Sequence, residues 1–347
     1  MPNFSDSARV LLLAPLLYTA VLSAQQTTSP PSPAGTSIQL DVVVTPKSGP
    51  PVAGLQQQDF TVLDNKVRQT ITTFHAAGGS QSPIEVIVLV DTVNISYEKV
   101  AWERGEIDKF LRANGGRLAY PTTLAFFSDA GTQIQEGFST DGNELSASLE
   151  HYAVGLRNVR RSSQYEGIER FQLSMTALGE LVQREAPRPG RKIILWISPG
   201  WPLLSGPHIE LGFKQQQQIF GNIVELSTQL RQGRMTLYSI DPLGSGEGVG
   251  RDFYYQTFLK GVSKPSQAAV GDLGLQVLAV QSGGLALNAS NDVTALLHTC
   301  LADTEAYYEL SFNPPPGDRR DEYHHLEVLV AKPGLIARTR QGYYSQP

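Results

Sequence analysis

A single cysteine, Cys300, rules out any internal disulfide in this chain of 347 residues. Stability therefore has to come from a core large enough to need no covalent staple. Cys300 lies on the apolar side of a helical pattern with Val293, Leu296, Leu297 and Leu301, and no base is near it in sequence. It reads as a packed thiol rather than a nucleophile. Basic clusters are scarce as well: the densest are 157–161 and 188–192, and the net charge is −5. A nucleic-acid partner, which calls for a basic stripe, is excluded on that ground. The six histidines show no metal-ligand spacing, and His324 and His325 point to opposite faces of one strand. There is no Gly-x-Ser-x-Gly elbow, and Ser198 is followed by Pro199. The glycine-rich stretch 244–250 lacks both the Gly-Lys-Ser/Thr ending of a phosphate loop and the spacing of a dinucleotide fingerprint. Nothing here suggests an enzyme, although an uncharacterised α/β enzyme stays the outside alternative. Long apolar runs are absent apart from residues 10–24, too short for a comfortable span and suited to a signal-peptide core. The expectation is an exported protein, secreted or periplasmic, cleaved after Ala24; an uncleaved anchor is the alternative.

What is present is a globular composition, 41% hydrophobic and 18% charged. After the leader (1–24), residues 25–36 are rich in Thr, Ser and Pro and read as a linker. Residues 37–82 carry short alternating strands, Ile38–Val44, Phe60–Leu63 and Thr70–Phe74, with turns at Gly49-Pro50-Pro51 and Asp64-Asn65-Lys66. From Pro83 the pattern changes to strand–helix alternation, which implies βαβ units and a parallel sheet. Its expected strands are Val86–Val90, Thr122–Phe127, Lys192–Ile197, Met235–Ile240 and a weak Leu285–Leu287, with Thr132–Gln135 as an antiparallel edge. Helical patterns fill Ser96–Ala113, Asn143–Tyr152, Tyr165–Arg184, Phe213–Gln232 and Leu273–Val280. Strands return at Ala306–Phe312, Tyr323–Val330 and Leu335–Arg340. The predicted fold class is α/β: a doubly wound, mainly parallel sheet spanning 83–304, inserted in a small β-sandwich that 37–82 and 305–347 build together.

The most informative stretch is Glu85–Ser96. Five apolar residues without alternation, Val86 to Val90, end at Asp91, with Thr92, Asn94 and Ser96 following. This is a strand buried on both faces, and ligands of such sheets gather at the carboxyl ends of strands. Asp129 and Asp241 end strands on the same edge, where an Asx turn is the expected role.

With Thr122–Asp129, Lys192–Gly200 and Leu237–Pro242, this strand resembles von Willebrand factor type A domains. Gln276–Asn288 with Ser282-Gly-Gly284, then Tyr307-Tyr-Glu-Leu310 and Gln341-Gly-Tyr-Tyr344, resemble the VWFA-related Acidobacterial-type family. Val52-Ala-Gly-Leu55, Asp59-Phe60 and the Asp64-Asn65 turn match that family's N-terminal section, so the likeness runs over about 37–344. It implies a protein-binding or adhesion module, not an enzyme. It also implies a metal-ion-dependent adhesion site of pattern Asp-x-Ser-x-Ser, a Thr on a second loop and an Asp after the fourth strand. Here Asp91 keeps the first position, but Val93 and Ile95 stand at the serine positions and Ser198 at the second Asp. Asn94, Ser96, Ser162 and Ser198 are the remaining oxygens that could join Asp91 around Mg²⁺ or Ca²⁺. The expectation is a degenerate, metal-poor site with no obligatory cofactor, Asp91 capping the following helix through the Asn94 and Ser96 amides. A Mg²⁺- or Mn²⁺-dependent receptor is the alternative. The partner is expected to be another protein of the cell envelope, met at an edge made of Asp91, Thr92, Asn94 and Trp201, with Trp201 either an exposed anchor or packed inward.

Overall fold

In a computed structural model, residues 37–79, 82–151, 164–202, 211–244, 254–315, 317 and 319–345 are described. The leader and linker readings, Ser162 and most of the 244–250 loop lie outside them. Chain order is β1 (Ile38–Pro46), β2 (Phe60–Asp64), β3 (Val67–Gln69) and β4 (Ile71–Ala77), then β5 (Ile84–Asp91), α1 (Tyr97–Gly116), β6 (Arg117–Ser128), β7 (Gly131–Ile134) and β8 (Ser139–Asp141). There follow α2 (Gly142–His151), α3 (Gln164–Glu185), β9 (Arg191–Ile197), α4 (Phe213–Gln232), β10 (Met235–Ile240), α5 (Leu275–Gln281), β11 (Ala286–Leu287) and α6 (Val293–Ala302). The chain closes with β12 (Tyr307–Phe312), β13 (Tyr323–Val330), β14 (Leu335–Arg338) and β15 (Gly342–Tyr344).

The seven-stranded central sheet runs β11-β10-β9-β5-β6-β7 with β8 also on β6, and it is parallel except for β7 and β8, which both pair antiparallel with β6. Strand order reverses between β5 and β9, so the edge beyond Asp91 and Ile197 is the switch point of the sheet. Both faces of β5 are sealed, as five apolar residues in a row require. Ile87 and Leu89 pack with Trp196, Leu178, Leu181 and Leu226 on the α3–α4–α5 side. Val86, Val88 and Val90 pack with Ile107, Leu111, Leu149 and Leu297 on the α1–α2–α6 side. The regular part of α1 stops near Arg112, because Asn114 (φ 53°) and Gly115 (φ 71°) adopt left-handed backbone.

Strands from both chain ends form two four-stranded sheets, β14-β1-β12-β4 and β15-β13-β2-β3. Leu40, Val42, Val62, Leu310, Phe312, Leu326 and Val328 fill the space between them. The β2–β3 hairpin closes through Asn65 (φ 48°) and Lys66 (φ 69°), the double left-handed turn that matches strand twist. This β unit and the α/β layer belong to one compact unit. Arg234 joins them by pairing with Asp41 of β1, at 2.7 Å, and with Glu309 of β12. Arg191 lies over the Tyr307 ring at 4.4 Å. Within the β unit the Tyr343 hydroxyl donates to buried Asp64 at 2.7 Å. Tyr343→Phe is expected to cost about 1–2 kcal/mol, read as a lower urea midpoint with unchanged slope.

Candidate binding edge

Asp91 ends β5 fully buried, at 0% exposure, and its carboxylate is surrounded by donors. Oδ1 accepts from the backbone N–H of Val93 (2.9 Å) and Asn94 (3.0 Å). Oδ2 accepts from Asn94 Nδ2 (2.8 Å) and Trp196 Nε1 (3.1 Å). Asn94 Nδ2 also reaches Ser174 Oγ of α3 at 3.0 Å. Burial raises the Asp91 carboxyl above its ordinary range, while bonds from Asn94, Trp196 and Ser198 oppose that rise. Asp91 is thus a strut that closes the turn after β5, not an acidic group offered to a neighbour. The expected helix cap does not form: Asp91 does accept from the Asn94 amide, but its second amide donor is Val93 rather than Ser96, and both precede α1, which begins at Tyr97.

The other candidates sort clearly. Ser96 occupies the N-cap position of α1 but makes no side-chain cap bond. Ser198 is buried, and its hydroxyl accepts from Gly200 N at 3.2 Å. Thr92 donates its hydroxyl to Phe127 O at 2.8 Å, tying the turn to β6. Trp201 is 4% exposed and packs edge-on against Trp196 (5.3 Å) and Phe171 (6.2 Å). The inward-packed alternative for Trp201 is therefore the one observed, and its ring is no surface anchor. Asp241 forms the expected Asx turn, accepting from Leu243 N at 2.9 Å.

These residues do not fit a hard divalent cation. Such an ion needs several oxygens with free lone pairs. The lone pairs of Asp91 already receive N–H groups whose positive ends stand where the ion would, and positions 93 and 95 carry hydrocarbon. Of the described oxygens expected to join Asp91, Asn94 Oδ1 alone is left buried without a partner. Among the described residues no group of three His, Cys, Asp or Glu side chains could hold a metal.

Two further features belong to this edge. Glu103 of α1 is fully buried, and both its carboxylate oxygens lack a hydrogen-bond partner. Burial first, and then the charge of Asp91, push its carboxyl well above the ordinary range. The clue was available: Glu103 interrupts the buried stripe Val100, Ile107, Phe110. The second feature is apolar exposure. Large hydrophobic side chains of the described α/β layer are exposed at Trp102 (39%), Ile168 (41%) and Phe213 (67%). Each lies in the first two turns of its helix, α1, α3 or α4, and the elements at that end of the sheet follow β5 and β9 or lead into β9 and β10.

No protein-family model matches the sequence, and no curated protein matches it. Among solved structures it is similar to an aerotolerance-related membrane protein from Bacteroides fragilis, at 13% identity over 63% of this chain and 98% of that one, TM-score 0.36. It is also similar to the manganese-loaded TRAP protein of Plasmodium vivax, at 11% identity over 79% and 98%, TM-score 0.34. A third is the SpRpn10 VWA domain, at 12% identity over 62% and 93%, TM-score 0.30. These likenesses are loose, and the architecture rests on the sheet itself. Its strand order, its parallel strands and the two short antiparallel partners of β6 make the α/β layer the doubly wound, mainly parallel sheet expected from the sequence.

Proposed function

We propose that this chain is a protein-binding or scaffold module of the cell envelope. It meets its partner at the carboxyl edge of the parallel sheet, through apolar side chains on helix N-terminal turns and without a bridging metal. The observation that carries the reading is the exposure of Trp102, Ile168 and Phe213 in the first two turns of their helices, Trp102 on one face of the sheet and the other two on the opposite face. Scattered singly such groups mean little; what favours this edge is their recurrence near the N-termini of three helices beside the switch point. A Mg²⁺- or Mn²⁺-dependent receptor is less well supported, because Asp91 is committed to internal donors. Export is inferred from the apolar segment 10–24; among the described residues no helix is long and apolar enough to cross a membrane.

Membership of the VWFA-related Acidobacterial-type family is part of the same proposal. Its motif residues here occupy positions with little freedom. Ser282 Oγ accepts from Leu237 N at 2.9 Å, and a Cβ on Gly284 would stand 1.9 Å from Leu237 O. Tyr344 donates to Val262 O at 3.0 Å.

Immobilised protein should capture a specific partner from an envelope fraction with Trp102→Ser/Ile168→Ser/Phe213→Ser losing at least about tenfold, the equivalent of ~1.4 kcal/mol. A control, Val67→Ser/Leu329→Ser, removes exposed apolar groups of the β unit and should capture normally, with EDTA or Mg²⁺ making no difference. Equal capture by both variants refutes the edge.

A further inference from the structure

The end of the parallel sheet opposite the carboxyl edge holds a cavity of about 280 Å³, framed by the last turns of α1 and α6 and the start of β6. The sequence explains why it is open. Left-handed backbone at Asn114, Gly115 and Gly116 (φ 53°, 71° and 83°) ends α1 and turns the chain straight into β6. Ala113, Ala119 and Ala302 line the space, where longer side chains would fill it. The floor is buried and its polar atoms are satisfied. Tyr120 donates its hydroxyl to Thr304 O at 3.2 Å, and Thr122 donates to Tyr120 O at 2.9 Å. Phe110, with the His298 ring edge-on at 5.4 Å, joins Leu118 and Leu301 in the walls.

Two side chains of opposite charge line the same cavity, Arg117 and Glu305, both exposed. Among the described residues neither side chain makes a hydrogen bond or an ion pair. The preceding arginine, Arg112, is by contrast held by Asp108 at 2.9 Å and Glu150 at 3.0 Å. Arg117 and Tyr120 are about 10 Å apart along β6, and the Tyr120 hydroxyl reaches the residue next to Glu305. The two charged residues therefore stand at opposite ends of the floor. α6 ends at Ala302, so the negative end of its dipole reinforces Glu305. A simple anion entering here meets repulsion from Glu305, and a simple cation meets it from Arg117. A dipolar molecule answers both. Ligand pockets begin near ~300 Å³, so this space suits a body of amino-acid to dipeptide size.

We propose that this cavity binds a zwitterion with an apolar body, an apolar amino acid or a dipeptide of such residues, its carboxylate on Arg117 and its ammonium on Glu305. Arginine suits the first role because its planar fork meets a carboxylate through paired N–H groups. The apolar body lies against Phe110, Leu118 and Leu301. The site is at the far end of the sheet from Trp102, Ile168 and Phe213, so neither proposal falls with the other.

The test is saturation-transfer NMR of the full chain titrated with L-leucine, L-phenylalanine and leucyl-alanine. At least one of the three should bind, and the amino acids against the dipeptide tell which length fits. The N-acetylated and C-amidated forms of the binder each lack one charge and should bind about fivefold more weakly. Arg117→Gln and Glu305→Gln change exposed side chains, should melt as wild type does, and should each weaken binding by a similar factor. Ala302→Leu fills the cavity from a half-buried position, should melt close to wild type, and should abolish the signal. No signal with any of the three zwitterions overturns the proposal. So does equal binding by the acetylated and amidated forms, or undiminished binding in either charge variant or in Ala302→Leu.

Discussion

Glu103→Leu is expected to stabilise the protein by about 2–4 kcal/mol at pH 8, an unusual direction for a core substitution. The carboxyl is sealed on the sheet-facing side of α1, between Val100 and Ile107, with both oxygens unbonded. Its raised pKa fixes the sign of the pH dependence. Below the unfolded-state value of about 4.3 the group is protonated in both states, and the folded protein carries no penalty for its ionisation. As pH rises, the unfolded chain ionises while the folded one holds its proton, so stability falls by up to ~1.4 kcal/mol per pH unit until the folded pKa is passed. Asp272, which burial raises to about 6, adds loss of the same sign over the lower part of that window. Urea midpoints should therefore decline from pH 5 to pH 8 in wild type, and the decline should be markedly shallower in Glu103→Leu. A flat wild-type profile would mean that Glu103 finds a partner in solution.

Asp91→Ala is expected to destabilise by about 3–5 kcal/mol, because one truncation strands several donors in a dry environment. The amides of Val93 and Asn94, the Asn94 side chain and the Trp196 indole all lose their acceptor. Asp91→Asn should recover little of this, since its amide nitrogen would face donors. The measurement is chemical denaturation of both variants, each with Mg²⁺ and with EDTA. A loss of similar size in both conditions follows if the carboxylate is a strut. A loss seen only with Mg²⁺ would restore it as a ligand.

Much of this fold was legible because its signals are local. Phe213–Gln232, Met235–Ile240 and Tyr323–Val330 form over the expected residues, since apolar spacing sets helix or strand without long-range help. The pairing of the two chain ends followed from alternation, because strands with one wet face need a second sheet to cover the other. Short edge pieces escaped: Val67–Gln69, Ser139–Asp141 and Gly342–Tyr344 have three residues each, too few for a period to register. The pattern over Leu335–Arg340 predicts one strand, whereas β14 ends at Arg338 and pairs with β1, and β15 pairs with β13 in the other sheet.

The site was harder for a different reason. A strand-end aspartate followed by small polar residues is the same string whether it faces solvent or is sealed. What seals Asp91 comes from Trp196, 105 residues on, and from α3 through Ser174. Val93 and Ile95 already argued against a metal. They could not show that the carboxylate turns inward, nor that Trp201 packs on Trp196 instead of standing free. The surface proposed at this edge consists of apolar side chains on helix turns, where single hydrophobic residues carry no sequence signature of exposure.

Hydrogen–deuterium exchange on the complex with the captured partner tests that surface most directly. Amides on the opening turns of α1, α3 and α4 should gain protection, while those of β2, β3 and β13 exchange as in the free protein, with or without EDTA. Protection confined to the β unit, or protection that vanishes when divalent ions are removed, would contradict an apolar, metal-free docking edge.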